Sequence, residues 1–215
     1  MSNNQKTYNQ VAGKNVSRIE AISDGVFAVA LTLLVLDIKV PISETIKTEK
    51  DLMDAFCSLT PKFLTYFLSF MTLGIFWTGH SSQYNFIEKS DRNLNWMSLF
   101  FLLFVSVLPF TTGFLSEHIH YKFSVFLYWV NIFVLGFALL IHWNYAIKKN
   151  YVALPDDERI TIGKAIQKRI IIAQTLYAVA ALLCFVNIYL SIAVTILIQL
   201  NYALAPFEKL KRATK

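Results

Sequence analysis

Along the chain, polar and apolar positions separate into long blocks. After a polar opening of 17 residues, which holds no apolar core of signal-peptide length, four stretches contain no Asp, Glu, Lys or Arg: Phe63 to Ile87 (25 residues), Asn93 to Ser116 (24), Phe123 to Ile147 (25) and Ile170 to Phe207 (38). A helix crossing roughly 30 Å of hydrocarbon needs about 20 apolar residues, so each of the first three predicts one membrane span. The fourth is too long for one and predicts two spans, split around Asn187. An earlier segment is ambiguous by hydropathy, since its uncharged run, Gly25 to Leu36, is bounded by Asp24 and Asp37. Extended from Arg18 to Val40 it reaches span length, with Glu20 and Asp24 at or below the interface. The expectation is an all-α integral membrane protein of six spans: a tail at 1–17, a transmembrane domain at 18–207 and a basic tail at 208–215.

Composition agrees with that pattern. The 215 residues are 55% hydrophobic and only 16% charged, against roughly a quarter charged in soluble domains. The net charge of +6 raises the question of nucleic acid, and the distribution of cations answers it. With the N-terminus inside, 15 of the 20 Lys and Arg fall in cytoplasmic segments, leaving Lys39, Lys47, Lys50, Lys62 and Lys122 outside. This is the positive-inside asymmetry, and it puts both termini in the cytoplasm. The charge therefore marks orientation and contact with anionic lipid, with no nucleic-acid partner. The loops are short. The outer one runs from Pro41 to about Asp51, and the inner one, Lys148 to Arg169, carries Pro155-Asp156-Asp157-Glu158, the signature of an acidic first helical turn.

Asp24 is the costliest residue in the spans. A carboxylate in a membrane helix costs roughly 2.5 to 3.5 kcal/mol at the centre and less toward the interface, and such groups usually face the protein with a partner. Its own helix offers only Ala21 and Glu20 at three and four positions back. The second span runs the other way and brings Trp77 and His80 to the same depth, so Ser23, Asp24, Trp77 and His80 form a candidate buried polar cluster fastening the first two helices. The alternative is that Asp24 sits in interfacial water. Ile22, Gly25, Val29, Leu33 and Leu36 recur at three and four positions, with Thr32 beside them, giving one apolar stripe. Such stripes commonly pack helices, though apolar constrictions also gate channels by dewetting.

The segment Arg18-Ile19-Glu20-Ala21-Ile22-Ser23-Asp24-Gly25-Val26-Phe27-Ala28-Val29-Ala30-Leu31-Thr32-Leu33-Leu34 resembles the R-x-x-x-F-S-D-G-V-F-A-I-A-x-T-L-L signature of the transmembrane protein 175 family, endosomal and lysosomal potassium channels with bacterial and archaeal relatives. The likeness extends to Trp77-x-x-His80 and to the six-span layout. A single six-helix unit resembles the prokaryotic members, which assemble as homotetramers. The resemblance implies a pore lined by four first helices, passing potassium through a ring of apolar side chains. The constriction falls on Val29, with Leu33 and Leu36 as further rings and Thr32 as a hydroxyl ring offered to ions. It also implies a polar network of Arg18, Ser23, Asp24, Trp77 and His80. Two positions depart from the signature. Ile22 replaces its phenylalanine, and Val29 replaces its isoleucine, which would widen the ring.

No T-V-G-Y-G sequence is present, so a carbonyl-ring filter of that kind is excluded. No enzyme constellation appears: there is no P-loop, no H-E-x-x-H and no paired carboxylates at matching depth in different spans. His118-Ile119-His120 is a weak metal pattern without further ligands and reads first as an exposed loop, with a metal site as the minor alternative. Cys57 and Cys184 lie in apolar surroundings without paired spacing. Pro109 predicts a kink, with Thr111 and Thr112 serving the freed backbone, and His142 and Trp143 read as interfacial anchors. Asn131, Gln174 and Asn187 read as interhelical hydrogen bonders. The functional expectation is a potassium-selective channel without a cofactor, in a prokaryotic plasma membrane. Its rival is a proton-coupled secondary transporter using Asp24 and His80.

Overall fold

A computed structural model of the chain describes residues 15–42 and 46–204, so most of the N-terminal tail and the whole C-terminal tail lie outside the described residues. Helix α1, Val16–Leu33, starts where Asn15 Oδ1 accepts the Arg18 N–H at 3.4 Å. It tightens into a 3-10 turn, Leu34–Asp37, and leaves in an extended conformation at Ile38. The outer loop then departs from expectation, because it folds into a short helix, α2, Glu49–Ser58. A reciprocal cap starts it: Thr48 Oγ1 accepts from the Asp51 N–H at 3.1 Å, and Asp51 Oδ2 accepts from the Thr48 N–H at 2.9 Å. Hydrogen bonds from Thr48 and from the Lys47 and Thr48 backbone hold the Asp51 carboxyl below the usual carboxylate range.

The remaining spans follow the blocks read from the sequence. Helix α3 is Thr60–Tyr84, with Pro61 in its first turn, and α4 is Arg92–Glu117. Helix α5 is Lys122–Lys148, and α6, Asp156–Leu182, begins directly after Pro155. A 3-10 turn, Leu183–Phe185, leads to the last helix, α7, Ile188–Leu204. Among the described residues five helices have the length and apolarity to cross a bilayer, and a further apolar helix is described from Ile188 to Leu204. The split at Asn187 is present, but among the described residues the Asn187 side chain makes no bond across helices. Its Oδ1 accepts the N–H groups of Tyr189 and Leu190 at 2.8 and 3.2 Å and so caps α7.

The core is built on α4 and α5. Phe101, Val105, Leu108 and Leu115 of α4 pack with Tyr128, Ile132 and Leu135 of α5, and α1 adds Phe27, Ala30 and Leu34. At the end of the bundle where α3 gives way to α4, Ile87, Leu94, Trp143, Ala146 and Val152 form a second cluster, tied by an antiparallel bridge between Ile87 and Val152. Trp143 and His142 therefore are not interfacial anchors: both are buried. Trp143 Nε1 donates to the Gly163 carbonyl of α6 at 3.3 Å, so the ring closes α5 against α6.

Pro109 lacks the N–H that would serve the Val105 carbonyl. The threonines do not replace it, since both Thr111 and Thr112 donate to the Leu108 carbonyl, at 3.0 and 2.8 Å. Asn131 of α5 acts on the turn before the proline: with its amide nitrogen donating to the Phe104 carbonyl at 3.1 Å, its oxygen accepts the Leu108 N–H at 3.3 Å. Gln174 does join helices, donating from α6 to the Ile132 carbonyl at 3.4 Å.

A two-faced first helix as candidate functional site

Helix α1 has two unlike faces. Ile19, Ser23, Phe27, Ala30 and Leu34, spaced by three and four, are buried against the bundle. The Phe27 ring meets Phe101 at 5.9 Å and His80 at 6.3 Å. On the other side Ile22, Gly25, Val29, Thr32, Leu33 and Leu36 are exposed, Val29 at 56% and Leu36 at 68%. No described residue covers them. Thr32 directs its hydroxyl proton back to its own helix, 2.8 Å from the Val29 carbonyl, which leaves its oxygen lone pairs as acceptors on the exposed side.

A carboxylate marks each end of this face, and each is tied to a different helix. Asp24 Oδ1 accepts from Trp77 Nε1 of α3 at 2.9 Å. Asp37 Oδ2 accepts from Ser116 Oγ of α4 at 2.8 Å. The second tie depends on Gly113, where an added Cβ would come within 3.2 Å of Asp37 Oδ1. Together they fix both ends of α1 on the bundle without covering its exposed face.

The five-residue polar network is divided. Asp24 and Trp77 are joined, but within the chain both are exposed rather than buried, and Ser23 donates to the Ile19 carbonyl of its own helix at 2.7 Å. Arg18 is exposed, and among the described residues its guanidinium makes no hydrogen bond or ion pair. His80 is 3% exposed and stacks on Phe101 with ring centroids 5.0 Å apart, and its Nε2 has no hydrogen-bond partner among the described residues. No hydrogen bond between described residues links it to Asp24. A neighbouring buried cluster lies behind it. His142 Nδ1 is 2.9 Å from Gln83 Oε1, and because that amide oxygen only accepts, the imidazole proton sits on Nδ1. His142 Nε2 lies 3.3 Å from the Tyr84 hydroxyl, which in turn is 2.7 Å from Ser98 Oγ.

One cluster escaped the sequence reading. Thr112 Oγ1, its proton turned to the Leu108 carbonyl, lies 2.7 Å from Ser69 Oγ, and Ser69 Oγ lies 3.2 Å from the Tyr128 hydroxyl. Thr72 Oγ1 sits 2.9 Å from the same hydroxyl and accepts from Gln199 Nε2 at 2.6 Å. Four helices meet in it. Its signal was available as Gln199 inside an uncharged span, where an unsatisfied amide is costly. Glu117 at the end of α4 pairs with Lys62 in the first turn of α3 at 2.6 Å, and no group of three metal-ligating side chains exists among the described residues.

Residues 18–109 match the family described as Endosomal/lysosomal potassium channel TMEM175. A potassium channel of Chamaesiphon minutus is 32% identical over 191 residues, covering 87% of this chain and 93% of that one. The chain belongs to the TMEM175 family. A crystal structure described as a lysosomal potassium-selective channel TMEM175 homolog from Chamaesiphon minutus superposes with a TM-score of 0.77 at 28% identity, over 88% of this chain and 97% of that one. The endosomal/lysosomal proton channel TMEM175 of Danio rerio is 39% identical over 108 residues, 48% of this chain but only 21% of that longer protein. The segment matched to the TMEM175 family runs from α1 into α4 and carries the exposed face and the Asp24–Trp77 tie, while Ser116, the partner of Asp37, lies beyond it.

Proposed function

We propose that this TMEM175 member is a potassium channel in which four copies enclose a path lined by the exposed face of α1. The carrying observation is that face: a stripe of small, apolar and hydroxyl side chains left open on a helix whose ends are both pinned. In this reading Val29 is the constriction, Leu33 and Leu36 form further apolar rings, and Thr32 presents acceptor oxygen to a dehydrated cation. An apolar ring opposes ion passage by excluding water when narrow and permits it when wetted. Residues 18–207 are the channel domain. Both termini face the cytoplasm of a prokaryotic cell, and no cofactor takes part beyond the permeant potassium ion. The cation distribution of the sequence supports this orientation, and the names of the bacterial relatives support the ion.

The test is cation flux from liposomes containing the purified chain, under potassium, sodium and proton gradients separately. Potassium flux that follows its electrochemical gradient and exceeds sodium flux is the expected result. Flux obligatorily coupled to protons would replace the channel with a transporter, and proton flux exceeding potassium flux would reassign the ion.

A further inference from the structure

Away from the exposed face of α1, a cavity of about 470 Å³ opens between α3, α6 and α7, with Gly136 and Leu139 of α5 behind it. Its volume is that of a ligand pocket, typically about 300 to 1,000 Å³. The space comes from missing side chains: Gly74 lines it, and a Cβ added there would meet nothing within 4 Å. Most of the rest is apolar. Trp77 lines it too, which sets the cavity in the half of the bundle that holds the Asp24 tie.

One cation belongs to this lining. Arg169 of α6 is exposed, with its guanidinium 5.5 Å from the centre of the Tyr202 ring, and Tyr202 also lines the cavity. Among the described residues no carboxylate lies within ion-pair distance of it. Lys168 beside it and Lys164, five residues earlier on α6, are exposed as well. An arginine this far along a span-length helix is costly unless its head reaches the interface or meets an anion.

We propose that this cavity takes an acyl chain of an anionic phospholipid, with the lipid phosphate on the Arg169 guanidinium. A planar guanidinium matches two phosphate oxygens at once, and basic pockets between membrane helices hold anionic headgroups in this way. A free soluble anion would gain nothing from the apolar walls, and a zwitterionic headgroup brings its own cation to compete with Arg169. The assignment requires only that the chain span a membrane, so it stands or falls independently of ion conduction.

The experiment is native mass spectrometry of the full chain, delipidated and then titrated with phosphatidylglycerol or phosphatidylcholine, with thermal unfolding recorded for each variant. Phosphatidylglycerol is expected to be retained over phosphatidylcholine. Arg169→Gln lowers that preference about fivefold, the effect of one cation near an anionic surface. Gly74→Phe fills the cavity and lowers retention of both lipids. Should Arg169→Gln unfold, Arg169→Lys retains the charge without the fork and is expected to weaken the preference less. Equal retention of the two lipids by the wild-type chain would overturn the assignment, as would folded variants that bind like wild type. Displacement of the lipid by inorganic phosphate alone would overturn it too.

Discussion

Helices α1 and α5 are similar in apolarity, yet 50% of the apolar stretch of α5 is buried inside the chain against 28% of that of α1. Lipid tails are as apolar as leucine, so hydrophobicity alone does not say which helix is covered. Helix α5 has neighbours on opposite sides and finds its polar partners among them: Tyr128 with α3, Asn131 with α4 and Trp143 with α6. Helix α1 completes only one face. Helix α6 is covered less still, at 17%, but its outer residues Ile171, Ile172, Leu176, Val179 and Leu182 are large and aliphatic, as a lipid-facing surface requires. The open face of α1 mixes Gly25 and Thr32 with its aliphatic residues and is flanked by Asp24. The lesson is that α5 is closed within its own chain, whereas half of α1 is left uncovered by the described residues.

The sharpest way to break this contrast is at the best-closed point of α5. Trp143→Ala removes a fully buried ring together with its bond to Gly163, and is expected to destabilise the chain by about 3 kcal/mol or more. Unfolding in mixed micelles measures it, and a loss below about 1 kcal/mol would mean α5 is not closed within the chain. Next in size is the tie that orients α1. Trp77→Phe keeps a ring but deletes the donor to Asp24, and a hydrogen bond to a charged group is worth about 1.5 kcal/mol even at the low end. Restoration of stability in a Trp77→Phe, Asp24→Leu double variant would show that the cost was the orphaned carboxylate.

Asp91 gives a smaller effect and a pH signature. It caps α4 through the Leu94 N–H at 2.8 Å and accepts from the hydroxyls of Tyr145 and Tyr151 at 2.7 and 3.1 Å. Burial opposes its charge, but these bonds and the nearby Lys149 outweigh burial and hold its carboxyl below the usual range. A carboxyl lowered on folding contributes stability above its unfolded value, near about 3.9, and loses it as pH falls through the folded one. Asp91→Ala is therefore expected to cost about 1 kcal/mol at neutral pH, with the difference from wild type shrinking as the solution is acidified below pH 4 or so. Smaller again, Tyr128→Phe should cost about 0.6 kcal/mol, the average for hydrogen bonds between membrane helices. A cost several times larger would make the Ser69–Thr72–Tyr128–Gln199 cluster a keystone of the bundle.

What the sequence disclosed follows the same division. Span positions were legible because uncharged length is a direct physical requirement of the bilayer, and the break at Asn187 followed from length alone. The Asp24–Trp77 bond was legible because opposed spans bring equal depths together. Depth, however, leaves rotation about the helix axis undetermined. That is why His80, at the depth of Asp24, turns instead into an aromatic pocket with Phe101, and why His142 and Trp143 point inward. Helix α2 was missed for a local reason: Thr48-x-x-Asp51 is a capping pattern, but it lies in a segment whose polarity reads as loop. The exposure of Val29 and Leu36 required coordinates, since a stripe of that period serves equally well for packing.

The last substitution reverses the relation between stability and function. Val29→Ala removes two methyl groups from a side chain that no described residue covers, so within one chain almost nothing is lost, about 0.5 kcal/mol at most. If Val29 lines the path, the same change enlarges a ring four times over and favours its wetting, so leak should rise, while Val29→Phe should reduce potassium flux. Liposome flux beside an unfolding curve for the same preparations separates the two readings of α1. Unchanged flux in both variants would return this stripe to helix packing and move the path elsewhere. Altered flux at constant stability would mean that the half of α1 left open by its own chain is the half that meets the ion.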